Sequence, residues 1–300
     1  MIPKVHAYEL NQVNPVGCPF LIADYVHGNT AEEVSRAYPG DYTGIPPQFQ
    51  RKFWRNLARI MVQLASVRLP KIGSIFRDEA RPSSFVVGPL VETGSGPYDS
   101  SADFYADYPV ALINHFRTKE PQKVDGEEEL AFAFRKLAAR FSGTPREQDR
   151  PERDFGLANY DLDMHNVLVD MEFNVLAVID WDSVWTVPNA GLHWFPRLMG
   201  ISYAIPGVVP TNAALIKRQQ LSRRFAEIVE AVARQERDEG TNTKGSFLFT
   251  VAGFFSTEAV AFRAINHLKQ RQDWVNSEWL EGLKWLSKHD EAALANFYDL

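Results

Sequence analysis

Asp161, Asn166 and Asp180 are the residues whose types and spacing could do chemistry. Asp161 begins the pattern Asp-Leu-x-x-x-Asn, which ends at Asn166, and Asp180 follows the apolar run 175–179. Phosphoryl transfer needs a carboxylate that orients the attacking hydroxyl and accepts its proton, together with oxygen ligands that hold magnesium. Asp161 suits the first task, and the side-chain oxygens of Asn166 and Asp180 suit the second. The sequence therefore predicts a catalytic base and two metal ligands.

The strand that precedes Asp180 makes this interpretation more specific than the spacing alone. Asp and Asn are common in turns, so a short Asp-to-Asn spacing is not by itself evidence of a site. A carboxylate at the mouth of a buried strand, however, needs a partner or a metal to offset the cost of its burial. Strand-like segments at 167–169 and 174–179, with a turn between them, predict a hairpin that lets Asn166 and Asp180 face one ion.

Other polar and aromatic residues near this segment keep two interpretations open. Asp163 and Asp182 could bind a cationic substrate or assist the metal, or they could be solvated or cap a helix. His165 could shape the loop. Three tryptophans could wall a substrate pocket, although packing in the core is the favoured interpretation. They are Trp181, Trp185 and Trp194.

The elements that position these residues follow from hydrophobic periodicity. Segments 3–10 and 19–26 favour two neighbouring strands, and Gly28 ends the second. The further predicted elements are a helix opened by a capping box at 30–33, an amphipathic helix after Pro47, a hairpin at 72–76 and 84–88, helices at 102–117 and 127–141, strands at 155–159, 167–169 and 174–179, and helical runs at 211–236, 247–269 and 276–297. A strand pair followed by a mainly helical remainder predicts an unequal, two-part architecture.

Residues 159–182 resemble the catalytic loop and metal loop of the aminoglycoside phosphotransferase and choline-kinase-like families, which are relatives of protein kinases. Those families typically show His-Gly-Asp-x-x-x-x-Asn and then a strand end of the form Ile-Asp-[Trp/Phe]-[Asp/Glu]. By this match Asp161 is the catalytic base, and Asn166 and Asp180 are the magnesium ligands. The resemblance implies an α+β, protein-kinase-like fold, the cofactors ATP and Mg²⁺, and a small-molecule substrate with a hydroxyl group.

The segment 14–28 is similar to the stretch that leads into the nucleotide hinge in fungal members of this family. By that match, backbone groups of Asp24, Tyr25 and Val26 meet the adenine. No glycine-rich phosphate loop and no lysine that follows it precede this segment. The resemblance therefore implies an N-terminally truncated member, with an incomplete N-terminal β lobe at 1–28 and a large, mainly helical catalytic lobe at 29–300.

Two further departures from the family pattern lie directly before the loop. Asn159 stands where the family usually has His, and Tyr160 stands where Gly is common. Three hypotheses follow: an active phosphotransferase, a non-catalytic kinase-like binding or scaffold protein, and a truncated fragment of such a kinase. A zinc or serine hydrolase is not supported, because neither His-Glu-x-x-His nor Gly-x-Ser-x-Gly occurs.

Composition narrows the class of protein and its partners. A formal net charge of -6 argues against a nucleic-acid surface, which needs clustered Lys and Arg. Cys18 is the single cysteine, so an internal disulfide is excluded and a reducing compartment fits. The sequence shows neither a signal peptide nor an apolar stretch of membrane-spanning length, which predicts a cytoplasmic protein without a membrane partner. An exposed edge on the N-terminal strand pair would invite self-association.

Overall fold

The computed structural model describes residues 2–38, 44–81, 84–119, 127–141, 155–196, 201, 204–208, 213–240, 247–270 and 278–299. Its architecture is mixed α and β. The strands are β1 (Val5–Glu9), β2 (Phe20–Ala23), β3 (Asn29–Thr30), β4 (Arg68–Leu69), β5 (Gly73–Arg77), β6 (Phe85–Gly88), β7 (Phe155–Asn159), β8 (Val167–Val169), β9 (Val175–Val178) and β10 (Val184–Val187). They form three antiparallel sheets, in the orders β1-β2, β3-β8-β9 and β4-β7-β10-β5-β6.

The helices supply most of the remaining regular structure. They are α1 (Ala31–Arg36), α2 (Pro47–Ser66), α3 (Ser101–Lys119), α4 (Glu127–Phe141), α5 (Ala213–Asp238), α6 (Val251–Phe254), α7 (Thr257–Gln270), α8 (Glu278–Leu286) and α9 (Glu291–Phe297), with a 3₁₀ turn at Asn189–Leu192. Among the described residues, no helix is long and apolar enough to cross a membrane.

The chain divides into two compact units, each built from segments that are distant in sequence. Unit 1 contains Met1–Leu57, Tyr160–Ser183 and Pro196–Ile201, and unit 2 contains Ala58–Asn159, Val184–Phe195 and Ser202–Leu300. This division does not follow the expected boundary after residue 28, which stays a prediction. The predicted catalytic base, metal ligands and hinge residues all belong to unit 1.

Unit 2 contains a strand that periodicity did not reveal. β10 lies in the middle of the five-stranded sheet, where it pairs with β7 on one side and β5 on the other. It is only four residues long, Val-Trp-Thr-Val, which is too short to show a clear alternation. Its Trp185 is buried and stacks near Phe104 and Phe262. Trp185 and Trp194 are thus core residues, as the favoured interpretation expected.

Two of the long helical runs expected near the C-terminus are interrupted. The run 247–269 contains α6 and α7, and the run 276–297 contains α8 and α9. Side chains that cap a helix start explain the breaks. Ser256 accepts a hydrogen bond from the Ala259 N–H at the start of α7, and Asp290 accepts one from the Ala293 N–H at the start of α9. Each cap satisfies an N–H group at the start of a new helix, so apolar periodicity alone overestimated the helix lengths.

Unit 1 confirms the local predictions around the candidate site. β8 and β9 pair antiparallel as a hairpin, with the turn at 170–174 between them. Thr30 and Glu33 form the predicted capping box at the start of α1, in which each side chain bonds the other residue's backbone N–H. β3, directly before α1, pairs with β8. The hairpin is therefore held from one side by the segment that follows the predicted hinge.

Candidate active site

The loop from Asp161 to Asn166 folds back on itself through short-range hydrogen bonds. The Asp163 N–H donates to the Asp161 carbonyl at 2.9 Å, and the Asn166 N–H donates to the Asp163 carbonyl at 3.2 Å. The side-chain amide of Asn166 donates to the Asp161 carbonyl at 2.9 Å and to the Asp161 carboxylate at 2.8 Å. The structure thus brings the predicted base and the first predicted ligand into direct contact.

The β8–β9 hairpin brings Asp180 back to this loop. Val167 lies opposite Val178, and the Ile179 N–H continues the ladder with a bond of 2.9 Å to the Asn166 carbonyl. Ile179 therefore faces Asn166, and Asp180 directly follows Ile179. Asp180 has a positive φ of 57°, a backbone conformation that Asp tolerates better than most residues do.

Asp180 is more exposed than the sequence suggested. Its carboxylate was expected at the mouth of a buried strand, where burial would demand a partner, but Asp180 is exposed. That argument was wrong, because β9 ends at Val178 and the chain turns outward through Asp180. The backbone N–H of Asp182, also exposed, reaches the Asp180 carboxylate at 3.5 Å. An exposed carboxylate remains accessible to a hydrated cation.

The donor set fits magnesium on chemical grounds. Since the Asn166 amide nitrogen bonds to Asp161, its oxygen faces away from that contact and offers a neutral ligand, and Asp180 offers an anionic one. Mg²⁺ is commonly held by one or two protein oxygens while water and phosphate complete its shell. No group of three or more His, Cys, Asp or Glu side chains suited to a metal occurs within the described part of the chain.

The predicted hinge residues are differently engaged. The Asp24 N–H donates to the Lys4 carbonyl at 2.9 Å, so this N–H is occupied within the protein. The Asp24 carboxylate accepts hydrogen bonds from His6 at 2.6 Å and from the Lys4 N–H at 3.1 Å, and these bonds lower its pKa. Tyr25 is 80% exposed. The contact of Asp24, Tyr25 and Val26 with adenine stays a prediction. Backbone groups other than the Asp24 N–H would have to make it.

The segment after the predicted hinge packs closely against the β8–β9 hairpin. A Cβ atom at Gly28 would lie 2.8 Å from the side chain of Leu176 and 3.1 Å from the Val169 carbonyl. The end of the Leu176 side chain could move aside, but the Val169 carbonyl belongs to the backbone of β8 and would have to shift. Asn29 and Thr30 then pair with β8. The close approach of this segment to the hairpin therefore favours glycine at position 28.

The sequence did not reveal the contact of Glu32, which is one of two acids in the first turn of α1. Its carboxylate lies 2.8 Å from Nε2 of His165, and its backbone N–H donates to the Met164 carbonyl at 3.1 Å. Nδ1 of the same histidine lies 3.2 Å from the carboxylate of Asp163. An acid in the first turn of a helix is ordinarily explained by the helix dipole, so no signal in the sequence pointed to this contact.

The residues that depart from the family pattern are both buried. Asn159 is fully buried at the end of β7. Tyr160, the next residue, is 4% exposed, and burial raises the pKa of its phenol well above the usual range. Asp163 is also buried, at 5% exposed, and accepts the backbone N–H of His165 at 2.8 Å. Asp163 therefore supports the loop from within.

Comparison with known proteins assigns no family. No family model matches the chain, and no curated protein matches it. Among solved structures, the chain is similar to a thermostable mutant of the aminoglycoside phosphotransferase APH(4)-Ia in its apo form. The identity is 16%, the match covers 98% of this chain and 77% of that chain, and the TM-score is 0.40. A likeness of this degree does not place the chain in that protein's family.

Proposed function

We propose that the chain is an ATP- and Mg²⁺-dependent phosphotransferase that acts on the hydroxyl group of a small molecule, with a protein-kinase-like fold. One observation carries the proposal. The Asn166 amide bonds to the Asp161 carboxylate, while the Asn166 carbonyl accepts the N–H of the residue before Asp180. The three proposed residues therefore lie at the same end of the β8–β9 hairpin, which supports their assignment as the base and the two oxygen ligands that phosphoryl transfer requires.

Each residue has a distinct task in this proposal. Asp161 accepts the proton of the attacking hydroxyl and orients its oxygen toward the γ-phosphate. Asn166 fixes the Asp161 carboxylate through its amide nitrogen and turns its amide oxygen toward the cation. Asp180 supplies the anionic ligand. Bound Mg²⁺ would neutralise charge on the phosphate oxygens.

Nucleotide binding is the first test. ATP is titrated into the purified chain with and without Mg²⁺, and heat is followed by calorimetry for the wild type and for Asp180→Ala. We expect Mg²⁺-dependent binding that Asp180→Ala abolishes. Glu172→Gln is the matched control, because Glu172 is an exposed acid at the far end of the same hairpin. No binding at millimolar ATP would refute the proposed function.

Turnover separates the enzyme from its alternative. ADP release is measured with a panel of alcohols, and Asp161→Asn is expected to lower the rate by about 10²-fold to 10⁴-fold, which is the usual contribution of a positioned general base. Mg²⁺-dependent binding without transfer to any alcohol would favour a non-catalytic kinase-like binding protein.

The exposed thiol of Cys18 suits a reducing, cytoplasmic location, which we propose with the function.

A further inference from the structure

His165 lies between two carboxylates from different elements. Its Nε2 is 2.8 Å from Glu32 of α1, and its Nδ1 is 3.2 Å from Asp163 of the loop. The histidine side chain is 49% exposed, the glutamate 28% and the aspartate 7%. A carboxylate oxygen only accepts hydrogen bonds, and each ring nitrogen lies within hydrogen-bonding distance of one. The ring thus connects helix and loop.

The helix side of this connection is itself rigid. The capping box of Thr30 and Glu33 fixes the first turn of α1 through bonds of 3.2 Å and 3.0 Å. The backbone N–H of Glu32 adds a second link to the loop, because it donates to the Met164 carbonyl. The first turn of α1 therefore holds two consecutive loop residues, Met164 by its backbone and His165 by its side chain.

The loop side leads directly to the predicted metal ligand. His165 immediately precedes Asn166, whose N–H is fixed by the Asp163 carbonyl. A change in the backbone at 165 would move the Asn166 amide relative to Asp161. Both ring nitrogens of His165 already face carboxylates, which leaves neither of them to act on a substrate. The arrangement suits a supporting role and not a catalytic one.

We propose that His165 is a positioning residue that holds the loop against α1 through Glu32 and thereby sets the Mg²⁺ affinity of the site. This inference rests on the proposed function, since it concerns the same ligand set. Residues that orient metal ligands typically change metal affinity by about 10-fold to 100-fold when they are replaced. We expect an effect of that size from either partner of the contact.

The test compares His165→Ala, Glu32→Gln and the double variant by the Mg²⁺ concentration that gives half-maximal ATP binding. Each single variant is expected to raise this concentration by about 10-fold or more. The double variant should raise it no further than His165→Ala alone, because the contact with Glu32 is already lost when His165 is replaced. Arg36→Gln is the matched control. Arg36 pairs with the same glutamate from the solvent side, so its loss leaves the His165 contact in place. Unchanged Mg²⁺ dependence in both single variants would overturn the proposal.

Hydrogen exchange provides a readout that needs neither metal nor nucleotide. His165→Ala is expected to speed exchange of the backbone N–H groups of Asn166 and Ile179, and to leave α5 unaffected. If the wild type binds no nucleotide, the proposed function fails while faster exchange still supports the positioning role. Exchange that is as slow as in the wild type would show that His165 does not hold the loop, whatever the nucleotide result.

Discussion

Unit 1 contains two antiparallel hairpins of short strands, and their surroundings are opposite. Within the described part of the chain, β1 and β2 pair only with each other, and their residues are exposed or half-buried. β8 has a partner on each side, β3 and β9, and the inward residues of the second hairpin are buried. β1 alternates apolar and polar residues, but β2 is as apolar as β8 and β9, so the apolar character of a strand does not by itself decide whether it is buried. Partners that are distant in sequence make the difference.

The first hairpin and its flanking segments carry a run of exposed apolar side chains. They are Ile2, Val5, Tyr8, Leu10, Val13, Val16, Leu21, Ile22 and Tyr25. A two-stranded hairpin is marginal by itself in water, because it has no second layer to bury its apolar faces. The second hairpin instead places Phe173 of its turn fully buried against Phe49 and Phe53. The comparison therefore predicts that stability depends on the second hairpin far more than on the first.

The largest expected effect is that of Phe173→Ala. Its ring lies 5.2 Å from that of Phe49 and 6.0 Å from that of Phe53. Removing a buried Phe ring costs about 3–5 kcal/mol, since it removes apolar contacts and leaves a cavity. Leu21→Ala in β2 is the control, because Leu21 is 62% exposed and its loss should cost about 0.5 kcal/mol or less. Urea unfolding measures both; equal costs would refute the comparison.

The turn side chains give a smaller effect. Asp170 accepts bonds from the Glu172 N–H at 2.9 Å, the Asn174 N–H at 2.9 Å and the Asn174 side chain at 2.6 Å. Asp170→Ala is expected to lower the free energy of unfolding by about 1–3 kcal/mol, because these donors lose a charged acceptor.

The first hairpin contains a turn that serves as the control for Asp170. Asn14 accepts the N–H groups of Val16 at 2.8 Å and Gly17 at 3.0 Å. Asn14→Ala should cost about 1 kcal/mol or less, because water replaces the lost acceptor at an exposed turn. Urea unfolding of both variants tests the difference. A larger loss from Asn14→Ala would mean that the first hairpin is not the marginal one.

Some features of unit 1 and unit 2 could be predicted from the sequence, and others could not. The β8–β9 hairpin, its turn and the capping box at Thr30 are local patterns, and the structure confirms them. The approach of Asn166 to Asp161 also follows from a short spacing. The contact of Glu32 was missed because its partner, His165, is far away in sequence. β10 was missed because four residues are too few to show a clear alternation. The exposure of Asp180 was missed for another reason, since a strand's apolar pattern does not fix where its last residue turns.

The open edge of β2 predicts a weaker, concentration-dependent effect. Among the described residues, Phe20–Ala23 pair with β1 only, and the run carries no charge to protect its outer edge. We expect the chain to self-associate through this edge, so that its sedimentation coefficient rises with concentration. Ile22→Lys should restore a monomer, whereas Met171→Lys, at the exposed tip of the second hairpin, should not. A wild type that sediments as a single monomer would exclude this association.

The smallest expected effect is that of acid on stability. It differs between the two hairpins because each contains a carboxylate with a lowered pKa. Partial burial acts to raise the pKa of Asp170, but bonds from the Asn174 side chain and from two backbone N–H groups lower it below 3.8. The hydrogen bond from His6, and then the one from the Lys4 N–H, lower the pKa of Asp24. A carboxylate whose folded pKa is lowered stabilises the fold above its unfolded pKa, and this stabilisation is lost as pH falls through the folded value.

Protonation of either carboxylate therefore makes the fold less stable below about pH 4. The two losses of stability differ in their dependence on salt. The Asp24 carboxylate is exposed beside an exposed histidine, so salt screens that pair. Asp170 is bonded mainly to neutral N–H donors within its own turn, and salt screens those bonds less. We expect Asp170→Asn to flatten the dependence of the melting temperature on pH between roughly 4 and 2 at any salt concentration. Asp24→Asn should flatten it less, and less at high salt than at low salt, because salt weakens the attraction between this carboxylate and the exposed histidine. If Asp24→Asn changed that dependence as much at high salt, the first hairpin would contribute to the stability of unit 1 as the second does, and the contrast between them would fail.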